Sequence, residues 1–241
     1  MKNQLDGTNS AFEVAEGPLR RGTLQQQVYD RLRLRLISGA YRPGEALSSR
    51  GLAGELGVSA MPVREALTRL TAEGALELTS GRTLQLPLLS PEDFDEITAI
   101  RLDLEGRAAS RAAVEVTPEG VEAVRQAHAV LCKAAEAKDI DAYLVANASF
   151  HSCISAAAGW PRLLDMIHRL WMIVGPSIRA CLTDSSHLAT SMRFHDAALA
   201  AIEARDEVAL RAAIVDDIQA AATNIRAFLA AGNAEPSTGR K

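Results

Sequence analysis

The sequence predicts a mostly α-helical chain in two parts, a small N-terminal unit of three helices with a strand ribbon and then an all-helical bundle of about six helices. Three observations predict it. Apolar residues recur at three- and four-residue spacing along most of the chain. The two short β-like runs, 75–78 and 83–86, flank Ser80-Gly81-Arg82. After Pro87 the chain turns alanine-rich, which favours helix and lets helices approach closely. The 241 residues are 48% apolar and 23% charged, as in one or two globular domains.

Residues 1–21 have no periodicity and are expected to form a disordered arm. Thr23 and Gln26 have capping-box spacing. Leu24, Val28, Leu32, Leu36 and Ile37 then make the apolar stripe of a first helix, which Gly39 stops before a turn at Tyr41-Arg42-Pro43-Gly44. A second helix, Ser49 to Leu56, buries Leu52, Ala53 and Leu56 and ends at Gly57. Ser59 is a natural N-cap for the third helix. Pro62 falls in that helix's first turn, where a missing amide hydrogen does little harm. Val63, Ala66, Leu67 and Leu70 form its core face, and Gly74 closes it. Two short helices, a longer one and a ribbon are the layout of a winged helix-turn-helix, here over 22–87, whose last helix fits the DNA major groove.

In the bundle, Ser90 caps a helix with Pro91 at its first position and acids in its first turn. Helices are expected near 91–115, 118–137, 139–158, 161–182, 186–204 and 206–231, within a unit spanning 88–231. Thr117-Pro118, Asp139, Gly159-Trp160-Pro161 and Arg205-Asp206 punctuate them. A disordered tail is expected over 232–241.

Charge is unevenly placed. Residues 1–90 carry 11 basic and 9 acidic side chains, and residues 91–241 carry 15 and 21. A mildly basic front and an acidic back suit a nucleic-acid-contacting unit joined to one that is not. No apolar run approaches the roughly 20 residues that span a bilayer. The first residues lack the apolar core of a signal peptide. Cys132, Cys153 and Cys181 are odd in number and lack CxxC spacing, so reduced thiols in a cytoplasmic protein are expected.

Pro43-Gly44-Glu45, Leu52-Ala53, Leu56-Gly57-Val58-Ser59 and the string from Pro62-Val63-Arg64-Glu65-Ala66-Leu67 to Gly74 together resemble the GntR family of bacterial transcription regulators. That resemblance places Arg50 and Arg64 on DNA-contacting positions and Gly81 at the wing tip that approaches the minor groove, with basic Arg82 beside it. Ser59, Ala60 and Met61 open the groove-facing helix. Relatives often carry Arg after the Ser. Ala60 and Met61 can meet a thymine methyl but cannot read guanine, which predicts a different operator sequence.

The second half resembles the FCD ligand-binding domain of the FadR-type branch, through the stretch Ile100-Arg101-Leu102-Asp103-Leu104-Glu105-Gly106-Arg107-Ala108-Ala109, through Asn147 and His151 followed by Ala157-Ala158-Gly159-Trp160-Pro161, and through Arg193-Phe194-His195. Asn147 and His151 are four apart, on one helical face and able to hold one ion. The resemblance implies a divalent-metal set of Asn147, His151, His195 and Asp217 for Zn, Ni, Mn or Fe. Many relatives have His at the last position, and Asp216 is the alternative if the register slips. A small organic acid effector is expected on the metal, with Arg101 and then Arg179 as cations and Trp171 as an apolar wall. His128, His168 and His187 are read as surface or packing residues.

The expected protein is therefore a regulator that binds double-stranded operator DNA as a homodimer, most simply as a repressor. It is not expected to be an enzyme, since HExxH and a nucleophile elbow are missing. A metal-dependent hydrolase and a metal-ion sensor are the competing readings.

Overall fold

The computed structural model describes residues 24–182 and 188–232. The expected arm, the Thr23 cap, His187 and nearly all of the expected tail lie outside them. The described elements run α1 Leu24–Ile37, β1 Ala46–Leu47, α2 Ser49–Leu56, α3 Ala60–Ala72, β2 Glu77–Leu78, β3 Leu84–Gln85, α4 Pro91–Glu115, α5 Pro118–Glu136, α6 Ile140–Ala157, α7 Pro161–Cys181, α8 Leu188–Glu203 and α9 Glu207–Gly232.

The helix ends follow their local chemistry. Ser48 Oγ accepts from the Gly51 amide at 3.0 Å to start α2. At its other end Gly57 takes φ 67 and ψ 32, the left-handed conformation that costs glycine no Cβ clash. Ser90 and Asp93 form a reciprocal capping box on α4. Thr117 and Asp139 cap α5 and α6 through their side chains.

The expected two-strand ribbon is in fact a three-stranded antiparallel sheet of order β1-β3-β2. β3 pairs Leu84 with both Leu47 and Leu78. The Gly44 amide also donates to the Leu86 carbonyl, and the Leu86 amide to that of Glu45, each at 3.1 Å. β1 lies between the turn at Gly44 and the Ser48 cap. So short a piece cannot display alternation, and it pairs because Leu47 is buried beneath the sheet.

Val28, Leu32, Leu36, Leu52, Val63, Leu67, Leu70 and Leu86 pack the core of the small unit. In the bundle α4 lies along α9, and Ala108, Ala109, Ala112 and Ala113 are fully buried, as close packing requires. The two units are not separate. α1 packs on α7, where a Cβ added at Gly175 would sit 2.3 Å from the Leu36 carbonyl oxygen. Only glycine permits that approach. Pro176 follows within the helix. Among the described residues no helix is long and apolar enough to cross a membrane.

Candidate DNA-reading face and ligand pocket

The residues expected to read DNA are nearly all exposed, and among the described residues their side chains are little used by the rest of the protein. Arg50, Ser59, Met61, Arg64, Gly81 and Arg82 are exposed, and Met61 is 63% exposed despite being apolar. Ala60 is half-buried. Ser59 stands at the N-cap of α3 with extended backbone, yet its hydroxyl makes no capping hydrogen bond, which leaves it available to a phosphate. Among the described residues no side-chain partner holds Arg50, Arg64 or Arg82. Neighbouring cations are engaged: Arg35 pairs with Glu55 at 2.9 Å, and Arg69 pairs with Glu73 at 3.1 Å while lying over the Tyr29 ring. In the wing, the left-handed residue is Arg82, with φ 59, and not Gly81. Its amide donates to the Thr79 carbonyl at 2.8 Å, which closes the turn.

The second site is a pocket inside the bundle. Arg101 from α4, Tyr143 and Asn147 from α6, Trp171 and Ile178 from α7 and Asp217 from α9 line it, with Phe94 and Ile225 as further apolar wall. Behind this opening His151, His195 and Asp217 are all buried, and one ligand atom from each lies within 4.8 Å of the others. Asp217 Oδ2 is 3.2 Å from His151 Nε2, and Oδ1 is 3.5 Å from His195 Nε2. Asp216 is exposed, so of the two acids it is Asp217 that meets the histidines.

Both nitrogens of His151 and both of His195 are buried without a hydrogen-bond partner among the described residues. Buried polar atoms are rarely left so. The 3.2 Å approach of Asp217 to His151 satisfies an ion-pair distance but not hydrogen-bond direction. Nitrogen and carboxylate donors that crowd together without bonding to each other fit a shared cation. The facing carboxylates favour positive charge in the cluster, which a proton on His151 also supplies. Burial favours the neutral His151, but Asp217 and Glu105 outweigh it and raise the pKa to about 9. Burial alone would raise the Asp217 pKa, yet His195 and His151 hold it well below the ordinary carboxylate range. Burial, then Asp217, pushes the Tyr143 phenol up.

Glu105 is a member of the site that sequence reasoning missed. It is 1% exposed, accepts from Arg101 Nε at 2.8 Å and from Trp171 Nε1 at 3.1 Å, and approaches His151 Nδ1 to 3.6 Å. Its position four residues after Arg101 was the available signal. Trp171 therefore does more than form a wall: it orients Glu105, and Arg101 lies 4.6 Å over its ring. Arg179 is not among the pocket-lining residues. It pairs with Asp141 at the start of α6, because one step along α7 from the pocket-facing Ile178 turns a side chain about 100° away.

His168, read from the sequence as a surface or packing residue, is a packing residue with polar partners. It is buried at the seam between the two units. Arg33 of α1 contacts its Nδ1, and its Nε2 lies 2.8 Å from Ser152 Oγ. With the guanidinium donating to Nδ1, the ring proton sits on Nε2 and is donated to Ser152. Ser152 is the residue after His151, so a polar chain runs from the pocket helix to α1.

A winged helix with uncommitted cations joined to a helical bundle with an internal pocket is the architecture of a DNA-binding transcription regulator. Residues 24–84 match the bacterial regulatory proteins of the gntR family, and residues 96–220 match the FCD domain. The chain belongs to the GntR family, in its FCD-bearing branch. It is 30% identical over 205 residues to the HTH-type transcriptional regulator McbR of Escherichia coli, covering 84% of this chain and 93% of that protein. The solved structure of E. coli McbR/YncC matches with a TM-score of 0.79 over 88% of this chain and 100% of that chain. A further relative, from Paenarthrobacter nicotinovorans, is named "Probable D-xylose utilization operon transcriptional repressor" and is 30% identical over 168 residues, 70% of this chain and 72% of that protein. These domains and relatives are transcription regulators, not enzymes.

Proposed function

We propose that the protein is a cytoplasmic repressor that binds a pseudopalindromic operator as a homodimer and is released by a small organic acid held in the helical pocket. The observation that carries this reading is that one cation, Arg101, shares a pocket with Asp217, which also belongs to the buried cluster with His151 and His195. These three residues, with Asn147 one turn before His151, would hold a divalent ion such as Zn, Ni, Mn or Fe. When bound, such an ion supplies positions that accept a carboxylate. Arg101 spends Nε on Glu105, which leaves both Nη groups to grip a carboxylate in a fork. Trp171 and the apolar wall suit a short carbon skeleton.

On DNA, Arg64 makes the base or phosphate contact nearest the groove, Ser59 donates to a phosphate, and Ala60 and Met61 offer apolar contacts to thymine methyls. Arg50 and Arg82 anchor the backbone on either side, with Gly81 giving the wing a close approach. Two-fold protein symmetry calls for a two-fold operator. Repression is supported by the name of the Paenarthrobacter relative. The Ser152–His168–Arg33 chain is the route by which the pocket biases the placement of α1. A 10- to 100-fold loss of operator affinity needs about 1.4–2.8 kcal/mol of coupling, provided the acid binds the two arrangements unequally.

The test is operator binding by fluorescence anisotropy, on a site obtained by binding-site selection, with a panel of small organic acids. At least one acid should weaken binding by wild type and do so far less with Arg101→Lys, which keeps the charge beside Glu105 but loses the fork. Release by metal ion or chelator with no acid would instead make the protein a metal sensor. An acid response unchanged in Arg101→Lys would remove Arg101 from the site.

A further inference from the structure

A second cluster lies on the outer side of the bundle. His128 and Cys132 are four residues apart on α5 and so share one face. Asp196 of α8 reaches across to them, with His128 Nε2 and Asp196 Oδ1 2.8 Å apart. Cys132 Sγ is 3.6 Å from His128 Nδ1 and 3.9 Å from Nε2. One ligand atom from each residue lies within 4.8 Å of the others. The histidine is largely buried, with 12% of its side chain exposed, while Asp196 is 63% exposed.

We propose that His128, Cys132 and Asp196 form a second metal site, of borderline-soft character, which takes Zn(II) or a similar first-row ion with water in the remaining position. The donor set is one thiolate, one imidazole and one carboxylate. Tetrahedral zinc uses all three, and three protein ligands with an open fourth position is a recurring arrangement. Bond lengths of about 2.0 Å to N and O and 2.3 Å to S place tetrahedral ligand atoms about 3.3–3.6 Å apart. From His128 Nε2, Asp196 lies at 2.8 Å and Cys132 at 3.9 Å, on either side of that range, and the imidazole must turn to present one nitrogen to both. The exposed carboxylate keeps the outer position open to solvent.

This cluster differs in kind from the inner one. His151, His195 and Asp217 supply no sulfur, so the inner site suits harder ions and the outer one selects a thiophilic ion. Two features join them. His195 and Asp196 are consecutive on α8, one facing inward and the other outward. The Phe150 ring sits between, 5.7 Å from His128 and 5.3 Å from His195. An ion at the outer site would clamp α5 to α8, the helix that carries His195.

The test is Co(II) titration of the full-length, chelator-stripped protein, followed by near-ultraviolet absorption. Wild type should develop a thiolate-to-cobalt charge-transfer band. The band should vanish in Cys132→Ser, weaken strongly in His128→Ala and persist in His151→Ala. Native mass spectrometry should show one ion fewer per chain in Cys132→Ser than in wild type. No band in wild type overturns the proposal without recourse to any variant. A band that survives in Cys132→Ser assigns the thiolate to Cys153 or Cys181 and overturns it equally.

Discussion

The proposed DNA-reading face and the proposed ligand pocket meet opposite physical demands. On the winged helix the side chains proposed to contact DNA are exposed and uncommitted, and Arg50, Arg64 and Arg82 have no side-chain partner among the described residues. In the pocket the ionisable groups face one another in pairs of opposite kind. Arg101 holds Glu105, Glu105 holds Trp171 and faces His151, and Asp217 faces both histidines. A charge that waits for DNA can wait in water at little cost. A charge buried for a ligand must be compensated before the ligand arrives. Substitutions on the face should therefore alter affinity and spare stability, whereas substitutions in the pocket should alter stability first.

The largest effect expected is at Asp217. Asp217→Ala removes the acid that faces both buried histidines and should destabilise the chelator-stripped protein by about 3 kcal/mol in urea unfolding. A loss below about 1 kcal/mol would show that the pocket is not electrostatically committed.

Next is the seam. Burial, then Arg33, lower the His168 pKa to about 4, so the folded protein keeps this ring neutral. The unfolded chain takes up the proton near 6.5. Stability from this group is thus complete above pH 6.5 and is lost as pH falls through about 4, by on the order of 3 kcal/mol. His168→Gln offers an amide oxygen to Arg33 and an N–H to Ser152 but does not titrate. Its unfolding free energy should depend less on pH between 6.5 and 4 than that of wild type, and parallel pH profiles would sink the assignment.

On the reading face, Arg64→Ala should weaken operator binding by about 1–3 kcal/mol, with a change in thermal stability of less than about 0.5 kcal/mol. Ala60→Arg should move the selected operator toward guanine at the facing base pair. An unchanged selected sequence would remove position 60 from base readout. The smallest effect belongs to the wing. Arg82→Gly relieves a left-handed backbone and should raise stability by up to about 1 kcal/mol. It should also reduce the salt dependence of operator binding by about one counterion. A variant that gains stability and keeps the full salt slope would show that Arg82 touches no phosphate.

The same contrast explains how much of each region could be read beforehand. The winged helix was legible nearly to the residue, because caps, breakers and apolar spacing act over a few positions. β1 escaped, since a strand so short has no period. In the bundle, helix ends were legible for the same reason, and the residue types of the inner cluster were implied by the resemblance to the FCD domain. Glu105 was overlooked because its partners Trp171 and His151 lie far along the chain, 66 residues away in the case of Trp171. His168 was undervalued because Arg33 is 135 residues distant.

The sequence by itself determined the helices, which rest on local spacing, and the family, whose motifs implied the residue types of the inner cluster. Tertiary structure decided which of those atoms meet. It brought Asp217 to the histidines and left Asp216 in solvent, turned Arg179 toward Asp141, drew Glu105 under Arg101, and pressed Gly175 against the end of α1. Each of these depends on how helices are rotated and packed against one another. A step of one residue turns a side chain by about 100°, and only the packed core fixes that rotation.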